Sequence, residues 1–232
     1  MTEKTNIIDF HTHILPCADH GSDGINTSRE QIALINDAGV STAVLTPHFY
    51  PHRHTVAGFT ENVSAAAEAL ISGTDRRPRL CIGAEVLYCD GIEDMEGLET
   101  LCIRGTNILL LELPKSEWSK GLLYEVRRLS SKYTVVLAHI DRYLPDKAEE
   151  LKRLLSYGAL AQINTASLFN VVSRICVSPF VESGQIYAVG SDLHGVDKKA
   201  YSQFVKARKK LGDEYTKIME RSAKLLDGAE FI

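Results

Sequence analysis

Residues 6–21 read Asn6-Ile7-Ile8-Asp9-Phe10-His11-Thr12-His13-Ile14-Leu15-Pro16-Cys17-Ala18-Asp19-His20-Gly21, an apolar run passing straight into metal-ligand residue types. The opening Asn6–Phe10 has the length and composition of a buried strand, and the chain turns at Pro16 to Gly21. The same grammar recurs along the chain. Further short apolar runs lie at Thr42–Thr46, Leu80–Ala84, Ile108–Leu113, Thr134–Ala138, Leu160–Ile163 and Ile186–Val189. Between them stand amphipathic stretches, Ser28–Ala38, Phe59–Ile71, Lys120–Lys132, Lys147–Tyr157 and Ala200–Leu211. Thr27 or Ser28 suits an N-cap for the first helix, and Gly39 and Gly158 suit the C′ positions that end two of them. Strand–helix alternation of this kind predicts a parallel sheet, because parallel neighbours need crossover connections. A closed barrel and an open doubly wound sheet both satisfy it. No repeat or linker divides residues 1–232, so one domain is expected, with 213–232 as a final helix and tail.

The 232 residues are 44% hydrophobic and 24% charged, an ordinary globular balance, and the formal net charge is −4. That balance supplies no general attraction to nucleic acid or anionic membranes. No apolar run approaches the ~20 residues of a membrane span, and no secretory leader pattern opens the chain. Cys17, Cys81, Cys89, Cys102 and Cys176 are scattered without C-x-x-C spacing, which suits free thiols in a reducing compartment, so the cytoplasm is expected.

The chemistry sits where the predicted strands end. His11 and His13, then His20, follow the first; His48 follows the second, Glu85 the third, and Glu112 lies in the fourth. His139 ends the fifth, and Asp192 with His194 ends the seventh. In a parallel α/β barrel these ends open on one face, so the groups converge although far apart in sequence. Alternate residues of an extended segment share a face, so His11 and His13 can grip one cation, as can Asp192 and His194. Singly, each has an ordinary alternative: a salt-bridge carboxylate, a satisfied core histidine, a helix cap at Asp192. Together, burying so many titratable groups without cations costs several kcal/mol in desolvation and repulsion. Imidazole with carboxylate suits manganese, iron or zinc, with magnesium at the oxygen-rich end. Bound cations lower the pKa of a bridging water, which makes a metal-bridging hydroxide the expected nucleophile.

Arg142, three residues past His139, presents a guanidinium fork suited to phosphate. The aromatic and basic stretch His48–His54 fits a flap over an aryl phosphate, with Arg53 a candidate contact; His52 and His54 are not counted as ligands. Cysteine-type phosphatases carry C-x5-R, but six residues beyond the five cysteines stand Asp23, Leu87, Met95, Ile108 and Glu182, which disfavours a thiolate route. Phosphate-binding G-x-x-x-x-G-K-[ST] and nucleophile-elbow G-x-S-x-G patterns are missing as well.

From Ile8 to His194 the chain resembles the PHP (polymerase and histidinol phosphatase) superfamily and, within it, the Gram-positive capsule and exopolysaccharide tyrosine phosphatases. Asp9-Phe10-His11-Thr12-His13-Ile14-Leu15-Pro16 with Asp19-His20-Gly21 is similar to that family's D-x-H-x-H-I-L-P…D-D-G. Thr46-Pro47-His48, Gly83-Ala84-Glu85, Glu112, Ala138 to Tyr143 and Ser191 to His194 match its later motifs in order. The resemblance implies a distorted seven-stranded (β/α) barrel with a centre of two or three divalent ions, manganese foremost. The implied ligands are His11, His13, His20, His48, Glu85, Glu112, His139, Asp192 and His194. They group as His11, His13, Glu85 and Asp192; as His20, His48 and His194; and as a bridging Glu85 with Glu112 and His139. Arg142 matches the phosphate-binding arginine. Two departures stand out. His20 replaces the usual Asp, and Gly195 to Lys199 lacks a nearby arginine, which leaves Lys198 or Lys199 to substitute with a less rigid grip.

The implied function is hydrolysis of phosphotyrosine on a protein, the partner being a bacterial tyrosine kinase of polysaccharide assembly. The rivals are a small-metabolite phosphatase of the histidinol-phosphate kind, a nuclease of the same superfamily, and a non-catalytic regulatory module that keeps the fold. The acidic balance opposes the nuclease and the full ligand set opposes the module.

Overall fold

The computed structural model describes residues 6–72 and 78–232. In chain order the strands are β1 (Ile8–Thr12), β2 (Thr42–Leu45), β3 (His48–Phe49), β4 (Arg79–Ile82), β5 (Glu85–Leu87), β6 (Ile108–Glu112), β7 (Thr134–Leu137), β8 (Leu160–Asn164) and β9 (Ile186–Gly190). The helices are α1 (Ile25–Asp37), α2 (Val56–Ile71), α3 (Lys120–Lys132), α4 (Ala148–Ser156), α5 (Val171–Glu182), α6 (Lys198–Leu211) and α7 (Asp213–Leu225). All strand pairings are parallel, in one sheet of order β1-β2-β4 and another of order β3-β5-β6-β7-β8-β9.

Seven strands were expected, and nine stand among the described residues. The two additional strands are short continuations just past the ends of the second and third predicted runs. Pro47 has no N–H to give to a ladder, so the second run breaks at Thr46-Pro47 and resumes as β3. The third breaks at Gly83-Ala84 and resumes as β5. The fit at Gly83 is tight, since a Cβ would lie 3.0 Å from Ile103 Cγ1 and 3.3 Å from Ile103 Cα. Hydrogen bonds bridge both breaks: Gly83 N–H donates to Leu45 C=O at 2.9 Å and Glu85 N–H to Pro47 C=O at 3.0 Å. His48 and Glu85 therefore lie inside paired strands, opposite one another, instead of trailing strand ends.

The second junction between the sheets lies at β1 and β9. Asp192 N–H donates to His11 C=O at 2.9 Å, and His13 N–H to Leu193 C=O at 3.1 Å. Ser191 N–H donates to the buried Asp9 carboxylate at 2.8 Å, and Tyr201 Oη–H reaches the same carboxylate from α6 at 2.8 Å.

Helices cover the outer faces. α3 follows its predicted span: Ser119 caps it by accepting from Leu122 N–H, and Leu122, Val126 and Leu129 are buried. Each such side chain stabilises the packing by about 1.5–3 kcal/mol. α1 begins earlier than predicted. Gly24 takes the N-cap place, and Ser28 is buried within the helix with its hydroxyl 2.7 Å from that of Ser22. Gly39 and Gly158 do follow their helices with φ of +76° and +101°. α5 had no sequence prediction: Pro179 lies inside it, and Val171, Val172 and Ile175 face solvent, which blurs the amphipathic period. Among the described residues no helix is long and apolar enough to cross a membrane, and all five cysteines are free.

Gly190 sits where the β1–β9 seam is tightest: an added Cβ would lie 2.6 Å from His11 Cβ and 2.9 Å from Gln162 Nε2. The expected outcome of Gly190→Ala is a loss of about 1–3 kcal/mol from forced overpacking, read as a lower urea midpoint in chelator. An unshifted midpoint would mean the seam is looser than described.

Candidate metal centre

Strand alternation carries the first ligands inward. On β1, Phe10 packs into the core and Thr12 bonds Val44 C=O through its hydroxyl, whereas Asp9, His11 and His13 share the other side. The chain then turns at Asp19-His20-Gly21 and returns along the rim. Gly21 is required there, because a Cβ would fall 2.1 Å from His13 Cβ.

Glu85, fully buried on β5, is the hub. Its Oε2 lies 3.2 Å from His11 Nε2, 3.3 Å from His13 Nε2 and 2.8 Å from His48 Nδ1. Its Oε1 lies 2.6 Å from His139 Nε2. The Asp192 Oδ1 atom faces the same space, 3.3 Å from His13 Nε2 and 3.8 Å from His11 Nε2. Glu112 Oε1 stands 3.7 Å from His139 Nε2. Three triads have donor atoms all within 4.8 Å of one another: His11, His13 and Asp192; His13, His48 and His194; and His48, Glu85 and Glu112.

The proton positions favour cations. His13 Nδ1–H donates to Asp19 Oδ2 at 2.6 Å, and His194 Nδ1–H to its neighbour Asp192 C=O at 3.0 Å. Both rings therefore turn Nε2 lone pairs inward. His11 Nε2 and His13 Nε2 face each other at 3.0 Å, an arrangement two neutral lone pairs oppose. Glu85 Oε2, His48 Nδ1, His139 Nδ1 and His194 Nε2 are buried without a properly directed hydrogen bond. Such orphans are costly in a folded protein unless something fills the space between them. A divalent cation with mixed nitrogen and oxygen ligands fits this donor set.

Electrostatics agree. Burial alone would raise the Glu85 carboxyl, but the imidazoles around it outweigh that and hold it well below the usual carboxylate range. Burial opposes charge on His13, yet Asp19, Asp192 and Glu85 raise its pKa well above the ordinary value. His194 goes the other way, lowered to about 4 by burial and by the neighbouring His13.

The remaining predicted residues spread out. His139 closes on Glu85 from a left-handed backbone (φ +32°). His20 belongs to none of the three triads. It is exposed, with its ring stacked on His48 at 4.9 Å and near His194 at 4.6 Å. Its ring thus lies beside His48 and His194, the two residues it was expected to join, while the His13 donor atom also comes within 4.8 Å of theirs. Arg142, its side chain 34% exposed, leans over the rim: Nη2 donates to Asp192 Oδ2 and Nη1 lies 3.8 Å from Glu112 Oε1. In the flap, the Tyr50 ring stacks on His48 at 5.1 Å and Arg53 lies 5.4 Å over Tyr50. His54 Nδ1 accepts from Tyr50 N–H, a role within the flap itself, and His52 is exposed. Lys198 and Lys199 are exposed at the start of α6, where Asp197 caps the helix.

Sequence reasoning passed over Asp19, which orients His13 and also accepts from His48 N–H at 2.9 Å. It also passed over Gln162 and Asn164 on β8. Their only signal was two polar residues at alternate positions in a buried run.

The family model for capsular polysaccharide synthesis, CpsB/CapC, matches residues 7–226. The chain belongs to the CpsB/CapC family. The tyrosine-protein phosphatase CpsB of Streptococcus agalactiae is 25% identical over 82% of this chain and 84% of its own length. That of Streptococcus pneumoniae is 26% identical over 83% and 85%. Among solved structures, one from work on YwqE of Bacillus subtilis and CpsB of Streptococcus pneumoniae, described as metal-dependent tyrosine phosphatases, superposes with a TM-score of 0.81. It shares 25% identity and covers 97% of this chain and 96% of its own. A histidinol phosphate phosphatase from Lactococcus lactis shares the fold, with TM-score 0.57 at 12% identity over 89% of this chain and 94% of its own.

Cation binding should stabilise this CpsB/CapC fold measurably. Manganese at about a hundred times its Kd is expected to add about 2.7 kcal/mol per independent site, seen as a higher Tm than in chelator. Equal melting in the two buffers would remove the centre.

Proposed function

We propose that this chain is a metal-dependent phosphoric monoester hydrolase acting on phosphotyrosine in a protein, with manganese its foremost cation and two or three ions per chain. The observation that carries the reading is the ring of donors around Glu85 with Arg142 leaning over it. Family membership and the names of its relatives support the same chemistry. In this reading the two sheets act as one distorted barrel of seven strands, two of them broken once. The natural substrate is a tyrosine kinase of polysaccharide assembly, met in the cytoplasm.

His11, His13, Glu85 and Asp192 would hold one ion, His20, His48 and His194 a second, and Glu85 again with Glu112 and His139 a third, so that each imidazole gives its single inward lone pair to one ion. Divalent cations bound there supply positive charge for phosphoryl oxygens and acidify water toward neutral pH. The chain's own groups do the rest. Arg142 offers its guanidinium fork to the phosphoryl oxygens, and its part exposure lets it leave Asp192 when phosphate arrives. Tyr50 and Arg53 wall one side of the entrance and can flank an aryl group. Tyrosine ionises near about pH 10, so tyrosinate leaves without a dedicated general acid.

Two measurements test this. Turnover of a phosphotyrosine peptide should exceed that of histidinol phosphate and of a short oligonucleotide; preference for either of the latter would overturn the substrate assignment. Arg142→Ala should lower kcat/KM about 10²–10³-fold with metal content unchanged, and Arg142→Lys should restore only part. Undiminished turnover in Arg142→Ala would remove its role.

A further inference from the structure

β8 is a strand to which no ligand is assigned, yet its two inward polar residues touch three of the ligand positions. We infer that Gln162 and Asn164 form a positioning relay that fixes the His11 tautomer, the His139 backbone and the orientation of the Asp192 carboxylate for cation binding. The inference rests on the metal-dependent reading above and deepens it.

The hydrogen bonds leave one consistent assignment. Gln162 Oε1 accepts from His139 backbone N–H at 2.6 Å, which identifies it as the oxygen. Gln162 Nε2 donates to Asn164 Oδ1 at 3.1 Å, which agrees. Asn164 must then turn its amide nitrogen outward, and Nδ2 donates to Asp192 Oδ2 at 2.8 Å. His11 Nδ1 faces the Gln162 oxygen at 3.3 Å, so Nδ1 carries the hydrogen and Nε2 keeps its lone pair toward Glu85 and Asp192.

Each contact has a physical consequence. His139 and Asp192 have left-handed backbones, φ +32° and +52°, which non-glycine residues adopt only when their surroundings hold them. Gln162 tethers the first through its N–H, and Asn164 grips the second through its side chain. Because Asn164 and Arg142 both occupy Oδ2, Asp192 presents Oδ1 to the centre. Asn164 is itself fixed, its backbone N–H donating to Asp141 Oδ1 at 2.8 Å. Gly190 leaves room for the relay, since an added Cβ would lie 2.6 Å from His11 Cβ and 2.9 Å from Gln162 Nε2.

The test compares Gln162→Leu, which keeps bulk without the acceptor, with Gln162→Glu, which keeps the acceptor. Calorimetric manganese titration should show affinity weakened about 10- to 100-fold in Gln162→Leu and only partly recovered in Gln162→Glu, which keeps the acceptor for His11 and His139 but loses the donor to Asn164. In zinc-loaded unaltered protein, nitrogen–proton correlation spectra should place the His11 hydrogen on Nδ1. Wild-type affinity in Gln162→Leu, no recovery in Gln162→Glu, or a His11 hydrogen on Nε2 would each overturn the relay. If Gln162→Leu does not fold, the spectrum of the unaltered protein still decides. Neither measurement uses a substrate, so loss of the phosphotyrosine assignment would leave the relay standing, and loss of the relay would leave that assignment to its own assay.

Discussion

A buried carboxylate cannot sit among inward-turned imidazole lone pairs unless positive charge joins them, and Glu85 is held in that position. Its oxygens meet His11, His13, His48 and His139 within 3.3 Å, and none of these groups has solvent to turn to. In the absence of cations, protons must take their place, which is why His13 is pushed up and Glu85 pushed down together. The arrangement therefore makes physical sense as a cation trap, and the two parallel sheets are the frame that keeps it from relaxing.

That frame works through irregularities. The breaks at Thr46-Pro47 and Gly83-Ala84 let His48 and Glu85 face one another in register. The β1–β9 junction draws His11 and Asp192 together across most of the chain, with Asp9 and Tyr201 anchoring it from below. Glycines at 21 and 190 leave room where backbones and ligands crowd. Partners behind the imidazoles then choose which nitrogen faces inward: Asp19 for His13, the Asp192 carbonyl for His194 and Gln162 for His11.

The centre and its rim divide the labour. Buried groups hold position and charge, whereas Arg142 is one-third exposed over Asp192, and Arg53 lies over the Tyr50 ring beside His48. Membership of the CpsB/CapC family puts this division in the context of capsular polysaccharide synthesis.

The sequence by itself determined the alternation of elements, the span of α3, the glycine stops at 39 and 158, and the ligand types at the strand ends. All of these depend on neighbours a few residues apart, where backbone period and turn chemistry act directly. Only the tertiary structure decided that two short further strands follow the second and third runs, that the His13 donor atom comes close to those of His48 and His194, and that Gln162 lies beside His11 although 151 positions separate them. These depend on which lone pairs converge once distant strands pack, and no local pattern encodes that. α5 escaped notice for a related reason: its exposed Val171, Val172 and Ile175 defy the apolar-inward rule, and tertiary context alone tolerates them.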